Sequence, residues 1–256
     1  MRKFLKENWK FLLFVLIGGL VGGYCTGLYV YDALSADFLK QLQEQNVTKE
    51  LVAISTMVQY GILFGVIFAA IGIIISKKVN LWKEIKYNKQ ACIATTLITI
   101  IAALLLFPGD KLIFGPFSSW VNDQYNITPT LEKTIAGLLT GGIIEEIMIR
   151  LFVMSLLVLI ISKIFFRNAK EILDKIYIIA NIISALLFAA GHIPATIAMT
   201  VLTPLLLFRC FLLNGVIGLG FGYLYRKYGI VYAIIAHGCV HLVADVLIII
   251  FSIIRA

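Results

Sequence analysis

Residues 131–166 read LEKTIAGLLTGGIIEEIMIRLFVMSLLVLIISKIFF, one apolar stretch with Glu145, Glu146 and Arg150 set in its middle. No soluble helix needs such a run, and a membrane-crossing helix needs about 20 apolar residues. The rest of the chain repeats the message. Of 256 residues, 61% are hydrophobic and 14% charged, where a soluble domain is nearer half and a quarter. That balance excludes a disordered chain, a secreted disulfide scaffold and an ordinary soluble enzyme. What remains is an all-α, polytopic transmembrane helix bundle, with room for roughly seven or eight spans.

The apolar runs place span 1 at about 11–31, span 2 at 51–76 and span 3 at 91–107. Span 4 runs from 131 to 166 and is either one tilted helix or two pieces broken at Gly141-Gly142. Spans 5, 6 and 7 follow at 176–191, 199–225 and 230–253. The chain divides into residues 1–130, carrying spans 1 to 3, and residues 131–256, carrying the rest. Span 1 reads as a retained helix, since no small-residue cleavage site clearly follows it.

Loop charges alternate. Lys3, Lys6 and Lys10 precede span 1, while acids dominate between spans 1 and 2. Lys77, Lys78, Lys83, Lys86 and Lys89 follow span 2, and Lys163, Arg167, Lys170 and Lys175 follow span 4. Basic loops stay in the cytoplasm. The expectation is a multi-pass protein of a bacterial cell membrane, with a cytoplasmic N-terminus and seven spans. Eight spans would break the alternation. The net charge of +8 thus points to membrane topology and not to nucleic acid. Trp9, Trp82 and Trp120 fall at expected interfaces. Cys25, Cys92, Cys210 and Cys239 show no CxxC spacing and read as packing residues. Gly215, Gly218 and Gly222 would allow a close helix approach.

The informative residues are polar ones inside spans. An ionisable side chain at a helix centre costs roughly 2.5–3.5 kcal/mol, so it faces an interior or a wet cavity. Glu146 and Arg150 are four apart and can pair. Glu145 points about 100° away and is left to act as a general base. His237, His241 and Asp245 share a stripe of span 7. Two imidazoles one turn apart can bind a metal or donate to an oxyanion, and Asp245 can fix the nearer tautomer. His192 lies at the end of span 5, in a helix loosened by Gly191 and Pro194. These are the three histidines of the chain, and all sit in or at the end of spans.

The ordered set Glu145-Glu146-x-x-x-Arg150, Phe188-x-x-x-His192 and His237-x-x-x-His241 resembles the three-motif signature of the CPBP intramembrane protease family. That group includes type II CAAX prenyl endopeptidases and the bacteriocin-processing or immunity (Abi) proteins. The segment Gly220 to Gly229 is similar to the family's approach to its third motif, and the resemblance spans about 137–247. It implies that Glu145 and His192 activate water and that His237 with position 241 stabilises an oxyanion. The family's usual Asn or Asp at that last position is His241 here. His241 is then either a hydrogen-bond donor in place of asparagine or, with His192 and His237, a ligand of zinc or another divalent metal. Glu146 and Arg150 hold the geometry.

The expected activity is hydrolysis of membrane-proximal peptides, prenylated or not. Two alternatives stand beside it: a non-catalytic membrane regulator or bacteriocin-immunity protein on the same scaffold, and a proton- or ion-coupled transporter. The transporter is ranked last because no internal repeat is visible.

Overall fold

The computed structural model describes residues 2–166 and 171–255, so Arg167 and Lys170 of the expected basic loop lie outside the described residues. It is helical throughout, and among the described residues seven helices are long and apolar enough to cross a membrane. They are built on α1 (Arg2–Ala33), α2 (Lys49–Lys78), α3 (Lys89–Leu104, within the span Lys89–Phe117), α4 (Leu131–Phe165), α5 (Asp174–Gly191, within the span Asp174–Met199), α6 (Pro204–Tyr228) and α7 (Ile230–Arg255).

Glycines set the closest contacts. In α1 they form two rows. Gly19, Gly23 and Gly27 press on α2, and a Cβ at Gly19 would stand 2.6 Å from the Tyr60 carbonyl oxygen. Gly18 and Gly22 press on α4, where a Cβ at Gly22 would stand 2.8 Å from Leu139 Cβ. α1 is thereby wedged between α2 and α4. Lipid tails are as apolar as the helices, so such backbone-close packing supplies much of the association that water would otherwise drive.

α4 is continuous, and the alternative break at Gly141-Gly142 is not taken. Those glycines instead receive α7: a Cβ at Gly142 would meet Gly238 Cα at 2.8 Å. Wide, π-type turns run through 136–145 and 147–154, a geometry frequent at functional sites.

Several span limits differ from the sequence reading. Span 5 does not stop at Gly191. A second short helix, Ile193–Met199, prolongs it, with Pro194 in the first turn where its missing N–H costs nothing. Span 6 starts at Pro204 and not at 199, because the Thr203 side chain caps its first turn. Between spans 3 and 4 the expected loop is folded: helices Asp110–Phe114 and Ser119–Gln124 pack Phe114 and Val121 with Leu206 and Ile248 in a second small core. Asp110, expected in a loop, is fully buried there. Its carboxylate accepts from Arg209 Nε at 2.7 Å and from Nη2, and from the Tyr125 hydroxyl. Arg209, costly inside span 6, is thus neutralised by a residue of the fold-back. Gly218 and Gly222 do face α5 and Arg150, but Gly215 has open space around it.

The turn from α6 into α7 is a single residue, Gly229, at φ 106°. A side chain would be strained there. The turn delivers the histidine helix directly beside α6.

Candidate active site

The site is built on α4, α5, α6 and α7. His237 is buried, and its Nδ1 lies 2.9 Å from Glu146 Oε1. Glu146 Oε2 faces Arg150 Nε at 3.4 Å, with both side chains wholly buried. Arg150 Nη2 donates to the Gly218 carbonyl at 2.9 Å. The guanidinium lies over the rings of Phe188 and Phe221, at 4.7 and 5.7 Å. The expected Glu146–Arg150 pair is present, and it extends to His237. With Glu146 ion-paired to Arg150 and accepting at Oε1, the tautomer assigned to His237 has its proton on Nδ1, and its Nε2 is left as an acceptor.

That Nε2 lies 3.2 Å from His241 Nε2. One of two facing ring nitrogens must donate, so His241 carries its proton on Nε2. Glu145 Oε2 stands 3.8 Å from the same His237 Nε2. Glu145 and His241 open onto a cavity of about 440 Å³, which His192 and Tyr60 also line. Prolonging span 5 is what brings His192 there: it sits at the joint between α5 and Ile193–Met199, its Nδ1 2.8 Å from the Phe188 carbonyl. Its ring and Phe188 meet edge to face, as those of His237 and Phe188 do.

Asp245 does not hold His241. Its carboxylate accepts from the Thr134 hydroxyl at 2.7 Å and pairs with Lys133 at 3.5 Å. The physical reason is position. One turn beyond His241, α7 has reached the first turn of α4, whose Thr134 and Lys133 satisfy the acid before an imidazole can. His237 and His241 face each other, while His192 bonds through Nδ1 to its own helix. Among the described residues no group of three or more His, Cys, Asp or Glu side chains is arranged to hold a metal ion.

Other participants were not singled out from the sequence. Phe221 stacks on His237 with centroids 4.5 Å apart and planes 22° apart. Its only sequence signal was membership of the stretch leading into the third motif. Tyr60 comes from α2, and Thr26 of α1 donates to Thr140 at 2.8 Å, both on the cavity wall. The first two helices therefore contribute lining that the motif-bearing half does not supply. Gly141 and Gly137 make room for His241: a Cβ at Gly141 would stand 2.8 Å from its Nε2.

Residues 128–243 match the family model described as type II CAAX prenyl endopeptidase Rce1-like. That segment holds Glu145, Glu146, Arg150, His192, His237 and His241, and the family is the one that the three motifs resemble. No curated protein and no solved structure matches the chain.

Proposed function

We propose that this multi-pass membrane protein hydrolyses peptide bonds of membrane-proximal substrates, as a peptidase of the CAAX-protease type, with Glu145 as general base. The observation that carries the reading is the shared cavity. An acid, Glu145, and two imidazoles, His192 and His241, from three separate helices open onto one chamber, and a fourth group, His237, is held behind them by Glu146.

Glu145 removes a proton from a water between it and His192. The resulting hydroxide adds to the substrate carbonyl carbon, and the carbonyl π pair moves to oxygen. His241 donates Nε2–H to that oxyanion in place of its resting contact with His237. Collapse of the intermediate breaks the C–N bond, and Glu145 returns its proton to the leaving amine. Oxyanion donors of this kind are worth about 10²–10³ in rate each in soluble proteases. Arg150 and Glu146 fix the plane and tautomer of His237, which in turn positions His241. In this reading His241 acts as a hydrogen-bond donor, the role that its resting contact with His237 supports. The basic ends of α2, α6 and the start of α1 support a cytoplasmic N-terminus.

The test is peptide cleavage. Purified protein in detergent is incubated with a library of membrane-proximal peptides, with and without a prenyl group. Wild type should cleave a subset, and Glu145→Gln should cleave none while melting normally. A wild type that cleaves nothing while it binds a membrane partner would replace this reading with the regulator.

A further inference from the structure

At the lysine-rich end of the bundle, away from the histidines, the chain forms a second, partly open cavity of about 270 Å³. It lies where α2 stops, α3 and α7 start and α6 ends, at one boundary of the membrane. The segment 81–88 between α2 and α3 has no helix and forms its outer wall. Tyr232 holds that wall in place: its hydroxyl donates to the Lys86 carbonyl at 2.8 Å and accepts from the Asn88 amide at 3.0 Å. Its apolar lining includes Phe11, Trp82, Tyr228 and the half-exposed Ile235. The first turn of α7 also faces in, and the amides of a first turn lack partners within their own helix.

The rim is cationic. Lys83 and Lys86 line the cavity, and Lys78, Lys89 and Lys227 belong to the helix ends around it. Lys86 is paired with Glu84 at 2.6 Å. Lys83 has no acidic partner among the described residues, and its stem is pressed against the Gly229 turn, where a Cβ would meet Lys83 Cβ at 2.9 Å. An apolar chamber with an unpaired cation at its mouth, set at the membrane boundary, is complementary to a molecule with an anionic head and an apolar body.

We propose that this cavity binds one anionic phospholipid, its phosphate at Lys83 and the first turn of α7, its glycerol and upper acyl carbons against Trp82, Tyr228 and Ile235. Helix N-termini and lysines both favour phosphate, and the aromatic walls suit the headgroup level of a bilayer. The lipid would join four helix ends, including the start of the histidine helix, and so stabilise the bundle in proportion to its occupancy.

The test is the melting temperature of the full-length protein in mixed micelles of phosphatidylglycerol, of phosphatidylcholine with the same acyl chains, or of detergent with inorganic phosphate. Phosphatidylglycerol should raise it several degrees above phosphatidylcholine, and phosphate alone should not. Lys83→Gln should remove most of the difference between the two lipids. Ile235→Trp, which fills the cavity, should abolish it; if that variant does not fold, Lys83→Gln decides. Equal shifts with the two lipids, the full shift with phosphate alone, or an undiminished difference in Lys83→Gln would each overturn the proposal.

Discussion

Glu146 Oε1 lies 2.9 Å from His237 Nδ1, so the second glutamate of the paired acids anchors the first histidine of α7 and leaves Glu145 to the cavity. The two adjacent acids are thereby given different work by direction alone. One points into the helix interface, with Arg150 on its other oxygen. The other faces the chamber.

Arg150→Ala should damage the fold before it damages chemistry. It strands a wholly buried carboxylate, and breaking a buried pair from one side costs roughly 3–5 kcal/mol. The expected result is a lower melting temperature and poor yield of the detergent-solubilised protein. Glu145→Gln should melt like wild type and be inactive. The reverse pattern in the two melting curves would exchange the assignments.

Phe221 should prove a positioning residue. Its ring is fully buried, with His237 stacked on it and the Arg150 guanidinium within 5.7 Å of its centroid. Phe221→Leu keeps an apolar side chain but removes the flat surface that fixes the imidazole plane. A misplacement of about 1 Å can cost up to 10²-fold in rate. The fall is expected in kcat with KM little changed, and Phe221→Tyr should hold kcat closer to wild type if its hydroxyl is accommodated. Equal kcat in Phe221→Leu and wild type would remove the stacking from the mechanism.

Much of this could be read from residues 131–166 and the apolar runs around them. Span number and the polar residues of the site follow from transfer cost, which is local to each residue. Three things were not legible. Asp245 sits on the histidine stripe by spacing, yet its partner depends on where α4 begins beside α7, a tertiary fact. The glycines at 141 and 142 look like a break, but become a contact surface once α7 lies on them. The burial of Asp110 was hidden for the same reason: Arg209, nearly 100 residues away in sequence, is what makes it tolerable.

Gly141→Ala tests that contact surface. The added methyl would stand 2.8 Å from His241 Nε2, and overpacking of this kind costs roughly 1–3 kcal/mol. Either α7 or the ring must shift. Activity should fall much further than the melting temperature, since the displaced atom is the donor itself. A variant with normal turnover would show that His241 Nε2 takes no part in catalysis.

His241→Asn separates the two roles open to that residue. As an oxyanion donor, His241 presents Nε2–H beside His237, and the asparagine of the resembled family offers an N–H in its place. As a metal ligand it would be one of three imidazoles, and losing a ligand or its support costs at least about tenfold in metal affinity. The donor reading rests on the resting contact of His241 Nε2 with His237 Nε2, the ring whose Nδ1 is held by Glu146. The expected outcome is that His241→Asn retains activity within about tenfold of wild type, whereas His241→Ala, which offers no donor, falls by about 10²–10³. Zinc content is measured on the same preparations. Stoichiometric zinc in wild type, lost together with activity in His241→Asn, would assign His241 to a metal and displace the donor mechanism.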